Sequence, residues 1–226
     1  VDAGTGVADL SLAELAAIDH VFITHSHLDH IAALPLMIDS IADMRDTPLT
    51  VYATGATLEI IRKHIFNWSV WPDFSEILIR GRTVMQYKEI RVGKKVRLGD
   101  RTITAVPAEH TVPAVGYCLD SGKGCLVFTG DTTVNDVFWP VLNKIPKLRY
   151  LIIETAFSNQ EQELAVASKH LSPNLLGHEL AKFKRKPDIY ISHLKPRQIE
   201  LIMCEIEECA GEFKPRMLQN NHIFEF

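Results

Sequence analysis

The stretch THSHLDHIAALPLM, from Thr24 to Met37, places His25, His27, Asp29 and His30 within six positions. In an extended loop, side chains repeat every second residue, so His25 and His27 point to the same side and can grip one cation. Asp29 and His30 follow as the chain turns into a helix and can face a second cation beside the first. Zinc-like ions take imidazole nitrogen and carboxylate oxygen, usually four to five ligands each. Four residues cannot fill two such spheres, so the rest of the chain must supply more donors.

Three later β-rich runs end in ligand-type residues. TAVPAEH delivers His110, CLVFTGD delivers Asp131 followed by Thr132, and IYISH delivers His193. Ligands at several strand ends are what a metal cluster on one rim of a sheet requires. A structural zinc site reads differently: such sites are closed and cysteine-rich. Here Cys118, Cys125, Cys204 and Cys209 form no CxxC pair and lie away from these donors. His20, His64, His178 and His222 stand alone and read as surface or ordinarily packed residues.

The elements that must hold these residues alternate. HVFIT (His20–Thr24) and LTVYAT (Leu49–Thr54) read as strands. IAALPLMIDSIADM has helical spacing, with Pro35 suited to the first turn, so regular helix is expected from near that residue. GATLEIIRKHIF reads as a helix, and NWSVWPDFSEI as an aromatic loop. From TVMQYKEI to GCLVFTGD the chain reads as strands, divided by turns at Gly93, Gly99–Asp100 and Ser121–Gly122. RYLIIETAF and DIYISHL are buried-type strands, while NLLGHELAKFKRK and PRQIELIMCEIEECA are amphipathic helices. MLQNNHIFEF is read as a final strand. The pattern suggests two sheets with helices outside, although it does not by itself select that arrangement over other α/β folds. With no repeat or linker, residues 1–226 read as one domain. VDAGTG begins without Met and reads as a strand end entering a Gly-rich turn. Val1 is therefore read as not the natural first residue, with earlier strands absent from the chain.

A hydrophobic content of 46% over 226 residues suffices for a sizeable core. A formal charge of −4 argues against broad polyanion binding. Neither a membrane-spanning apolar run nor a secretory leader is evident. Cysteines that need no pairing suit reduced thiols, and hence a cytoplasmic protein.

The set HxHxDH, His110, Asp131 and His193 resembles the metallo-β-lactamase-fold hydrolases over nearly the whole chain. The resemblance implies a four-layer αββα sandwich and two divalent metal ions, zinc first, with manganese or iron as alternatives. By motif position, His25, His27 and His110 would hold one metal, and Asp29, His30 and His193 the other, with Asp131 bridging. EHTVPAVGY, IIETAFSN, SKHLSP and SHLKP, in that order, are similar to class II cyclic-nucleotide phosphodiesterases and, more loosely, to ribonuclease Z. The implied reaction is hydrolysis of a 3′,5′-cyclic nucleotide to a nucleoside 5′-monophosphate by a metal-bridging hydroxide. Asp29 would orient the nucleophile or take its proton. A ribose alkoxide leaves poorly without a proton; His170 is the candidate acid, and Glu154 would hold its ring and keep it cationic.

Thr111, Lys195 and the backbone near Gly116 are candidate substrate contacts. Trp68, Trp71 and Phe74 read as core or interface residues, with base stacking the alternative. The runner-up function is a ribonuclease Z-like RNA phosphodiesterase, disfavoured by charge; RVGKKVR and KFKRK are explained more simply as solvated strand and helix faces. Thiolester hydrolysis and a non-enzymatic metal-stabilised binding or sensor protein are the remaining readings. The expected partner is a small cyclic nucleotide; no membrane partner is expected, and a homodimer is left open.

Overall fold

The apolar periodicities predict sheets flanked by helices. The computed structural model, which describes residues 1–226, forms them in two compact units, Val1–Arg91 and Val92–Phe226.

The first unit holds a three-stranded parallel sheet, ordered β1 (His20–Phe22), β2 (Leu49–Ala53) and β5 (Met85–Glu89). The short hairpin strands β3 (Leu78–Ile79) and β4 (Arg82–Thr83) precede β5. Its helices are α1 (Leu12–Ala16), α2 (Leu28–Ile31), α3 (Leu34–Ile41) and α4 (Gly55–His64). Pro35 lies in the first turn of α3, where its missing N–H has no helical acceptor to lose. Leu34, Met37, Ile38 and Ile41 of α3 and Leu58 and Ile61 of α4 pack on Val21, Val51 and Met85 of the sheet. Thr54 caps α4 by accepting the Thr57 N–H. VDAGTG forms no strand among these residues. Val1–Ala3 form no regular element, with Asp2 in a left-handed conformation at φ of 59°, and Thr5–Asp9 form a 3₁₀ turn, while the Asp2 and Ala3 amides donate to the Phe22 and His30 carbonyls.

The second unit is a seven-stranded sheet ordered β12-β11-β10-β9-β8-β7-β6. Its strands are β6 (Lys95–Leu98), β7 (Arg101–Pro107), β8 (Val115–Asp120), β9 (Cys125–Phe128), β10 (Leu148–Glu154), β11 (Asp188–Ser192) and β12 (Arg216–Met217). Strands β6 to β9 are antiparallel neighbours, and β9 to β12 are parallel. Consequently β7, β9, β10 and β11 all run in one direction and finish at one edge. This is the edge where α/β sheets place ligands.

Helices α5 (Phe138–Leu142), α6 (Gln162–Ala167), α7 (Pro173–Leu180) and α8 (Ile199–Ala210) complete the unit. Trp139, Leu176, Leu180, Ile202 and Ile206 bury against Val127, Leu151, Ile153 and Ile191. The other sheet face carries Leu126, Ile152 and Tyr190, with Phe224 and Phe226 packed on them.

Two further sequence expectations need correction. The final strand is the short pair Arg216–Met217, and residues 218–226 follow it without strand pairing. Their aromatic side chains bury on the sheet face instead, so packing there does not require a ladder. Lys182–Lys186 lie beyond α7 rather than on it: that helix ends at Leu180, and Asn143 holds the following backbone by accepting the Lys184 N–H and donating to the Lys182 carbonyl. No helix is long and apolar enough to cross a membrane.

Candidate metal and proton-transfer site

The HSHLDH residues extend from the end of β1 into α2, so the period-2 spacing of His25 and His27 gives way to helical spacing at Asp29 and His30. His25 and His30 are buried, His27 is half-buried and Asp29 is exposed. The three imidazoles lie close together, with ring centroids 4.7 Å apart for His25–His27 and 4.1 Å for His25–His30. The His30 Nε2 is 3.5 Å from an Asp29 carboxylate oxygen.

Asp2 organises this group. Its carboxylate accepts the Thr24 N–H at 2.7 Å and the Thr24 hydroxyl at 2.9 Å, and it lies 2.8 Å from the His30 Nδ1. The Thr24 hydroxyl, committed as a donor to Asp2, can accept from the His25 Nδ1 at 3.0 Å. Protons on both Nδ1 atoms leave both Nε2 lone pairs for a metal, the usual arrangement by which an outer acceptor fixes a ligating imidazole. Gly4 lets this turn approach α2: a Cβ there would sit 1.7 Å from the Asp29 carbonyl oxygen. Sequence reasoning missed Asp2. Its signal was a carboxylate immediately before a Gly-bearing turn, but a partner 28 positions away was not readable.

In the second unit, the loops after β7, β9, β10 and β11 bring His110, Asp131, Glu154, His170 and His193 to the common edge. The buried Asp131 lies 3.2 Å from the His193 Nδ1 and 3.9 Å from the His110 Nε2. The His110 Nδ1 sits 3.0 Å from the Lys169 carbonyl, which acts as acceptor and again leaves Nε2 for a metal. Lys169 and His193 adopt left-handed backbone conformations, with φ of 55° and 61°. Such non-glycine conformations cost of order 1–3 kcal/mol each and cluster at functional sites. Imidazoles with fixed tautomers, together with carboxylates, suit divalent metal ions.

Glu154, the last residue of β10, is fully buried. Its carboxylate accepts the Thr132 N–H at 3.0 Å and the Leu171 N–H at 3.2 Å, and it meets the His170 Nδ1 at 2.7 Å. Burial pushes this carboxyl well above the usual carboxylate range, and the Asp131 charge adds to the push. The Thr132, Leu171 and Ala156 amides oppose both. A cation on Asp131 would cancel the second of those upward pushes. The amide partners only donate, and an ionised carboxylate satisfies them while accepting the Nδ1 proton of His170.

The His170 ring stacks on His193 at 5.0 Å and 20°, and lies 4.9 Å from His110. The half-buried Phe157 packs edge-on to His170 at 5.7 Å, and the Lys195 ammonium lies 5.5 Å from the Phe157 ring centre. Phe157 was not singled out from the sequence; it follows Glu154 by three positions, and only the loop conformation reveals its neighbour. Thr111 is exposed beside His110. In the aromatic loop, Phe74 belongs to the first unit's core, Trp71 packs against that core and Trp68 is exposed. His64, His178 and His222 are also exposed, while His20 stands edge-on to Tyr52.

The family model described as the beta-lactamase superfamily domain matches residues 1–198. A 3′,5′-cyclic-nucleotide phosphodiesterase of Aliivibrio fischeri is 29% identical over 201 residues, covering 77% of this chain and 58% of that protein. A ribonuclease Z of Methanopyrus kandleri is 26% identical over 126 residues, covering 54% of this chain and 40% of the relative. This chain thus spans little more than half the length of the phosphodiesterase it matches. Among solved structures, the metallo-beta-lactamase fold protein YhfI of Bacillus subtilis superposes with a TM-score of 0.78 at 18% identity, over 99% of this chain and 85% of that one. The mixed α/β fold is therefore the metallo-β-lactamase fold, and the chain belongs to the beta-lactamase superfamily.

Proposed function

We propose that the protein is a binuclear metal-dependent phosphodiesterase that hydrolyses a 3′,5′-cyclic nucleotide to a nucleoside 5′-monophosphate. Residues 1–226 are read as one catalytic domain. In this reading, motif position assigns His25, His27 and His110 to one metal and Asp29, His30 and His193 to the other, with Asp131 serving both. Bound divalent ions, zinc first, would neutralise phosphate oxygens and lower the pKa of the attacking water.

The observation that carries the reading is the buried Glu154–His170 pair beside His110 and His193. Metal ligation alone does not call for a carboxylate–imidazole pair of this kind. Glu154 accepts a hydrogen bond from the Nδ1–H, which leaves Nε2 as the atom that delivers a proton. A neighbouring carboxylate favours imidazolium. Protonation of a ribose oxygen by such a group contributes typically ~10²–10⁴-fold. Asp29, more exposed than the other donors, has room to orient the attacking water or take its proton. Lys195 and Thr111 are proposed phosphate contacts. The four free thiols agree with a reducing compartment, and the cytoplasm is the proposed location.

The likeness to ribonuclease Z supports a second reading, cleavage of an RNA phosphodiester. Hydrolysis rates of cyclic AMP, cyclic GMP, a 2′,3′-cyclic nucleotide, a precursor transfer RNA and a glutathione thioester, measured in parallel, separate the readings. Fastest turnover of a 3′,5′-cyclic nucleotide is the expected result. Fastest turnover of RNA would replace the first reading with the second, and preference for the thioester would overturn both.

A further inference from the structure

The residues of KFKRK that leave α7 meet the turn after α8 across a cleft of about 900 Å³. One wall carries Lys184, Arg185 and Lys186; the other carries Lys214 and Arg216. Both walls are fixed by the chain. Arg185 Nε donates to the Asn143 carbonyl at 2.9 Å, and the Lys184 N–H donates to the Asn143 side chain at 2.8 Å. Across the cleft, Lys214 holds a left-handed conformation with φ of 52°, and Arg216 begins β12 in register with Tyr190.

Three carboxylates face these cations. Asp188 is committed to Arg216 at 2.7 Å. The Glu207 carboxylate lies against Gly211, where an added Cβ would meet it at 3.0 Å, and Glu212 is exposed. The Lys184, Lys186 and Lys214 side chains are exposed and make no ion pair. A chain of net charge −4 therefore concentrates positive charge in one concavity. The cleft opens at the start of β11, whereas His193 follows its end; five residues separate the two by about 15 Å of strand rise. It is distinct from the edge that carries Glu154 and His170.

From this placement we propose that the cleft is a second anion site, which takes a compact polyphosphate, either free or carried by a nucleoside. Three ammonium groups on two opposed walls match several phosphates in a row better than a single one. The volume lies within the ~300–1,000 Å³ usual for small-molecule sites. The half-buried Phe213 and Pro187 offer apolar surface to a flat group attached to the phosphates. A compact site also accords with the net negative charge, which disfavours a long nucleic-acid track.

The test is calorimetric titration of the whole chain with tripolyphosphate and, separately, with ATP at low salt. The Lys184/Lys186/Lys214→Ala variant serves as the cleft probe. A Lys94/Lys95/Lys123→Ala variant removes equal charge from exposed positions elsewhere in the same unit. The cleft variant should weaken binding at least tenfold, while the charge-matched control stays within about twofold of the unmodified protein and hydrolysis of bis(p-nitrophenyl) phosphate is unchanged in both. Tighter binding of ATP than of tripolyphosphate assigns the ligand to a nucleoside polyphosphate; equal binding assigns it to the free polyanion. Absence of binding by the unmodified protein, equal weakening by both variants, or unchanged affinity in the cleft variant would each overturn the proposal.

Discussion

Replacing Glu154 with Gln removes one charge and barely changes volume, so it isolates what the carboxylate does for His170. Oε1 accepts from the His170 Nδ1 and the Thr132 amide, and Oε2 accepts from the Leu171 amide. In the Glu154→Gln protein, the new side-chain amide can keep its oxygen toward His170 and Thr132, which leaves its NH₂ facing the Leu171 N–H. An unsatisfied buried donor costs about 1–3 kcal/mol. Removing a desolvated charge offsets part of that cost, so a net loss of about 1 kcal/mol is expected in urea unfolding. The catalytic effect should be larger. A neutral amide no longer favours imidazolium, and the low end of the general-acid range, ~10²-fold, should be lost on cyclic AMP. Bis(p-nitrophenyl) phosphate expels a stable phenolate and needs little protonation, so its hydrolysis should fall less than about fivefold. Bound metal, measured alongside, should be unchanged. Equal losses on the two substrates would reduce Glu154 to a packing role, and no loss on cyclic AMP would refute the proton-transfer reasoning.

Asp2→Ala removes acceptors from Thr24 and His30 without removing a proposed ligand; metal affinity should fall ~10–100-fold in a competitive chelator titration, and unchanged affinity would discard its orienting role. The Cys118 thiol is pushed up to about 12, by burial first and then by neighbouring Cys125. Because the thiolate is the reactive form and its fraction at pH 8 is then only about 10⁻⁴, iodoacetamide should label exposed Cys204 rapidly and leave Cys118 unmodified until the protein is unfolded, as read by peptide mass spectrometry. Rapid labelling of Cys118 in the native protein would contradict its burial.

The strands and helices that deliver the chemistry were legible because each spans a local period: His20–Phe22 before the histidine loop, Leu148–Glu154 ending in its carboxylate, and Asp188–Ser192 just before His193. The proximity of His170 to Glu154 could be argued from chemical need, and the two side chains lie 2.7 Å apart. What escaped was set by long-range or backbone geometry. Asp2 reaches His30 only because the Gly4 turn lies on α2. The acceptor for the His110 Nδ1 is a main-chain carbonyl of Lys169, which no side-chain motif announces. MLQNNHIFEF carries β-type residues, yet of these only Met217 lies in a strand and Leu218 adds one main-chain bond to Ile191; the aromatic tail beyond buries side chains without forming a ladder. KFKRK looked like a helix face because helical periodicity does not mark where α7 stops, and Asn143 settles that from 41 residues away.

The proposed binuclear centre is most directly tested by stripping the protein with a chelator and restoring zinc stepwise, with bound metal and release of adenosine 5′-monophosphate from cyclic AMP followed in the same samples. Turnover should vanish on stripping and return in full only as the second equivalent per chain is bound. Undiminished turnover in the metal-free protein, or full recovery at one equivalent, would contradict a two-metal phosphodiesterase.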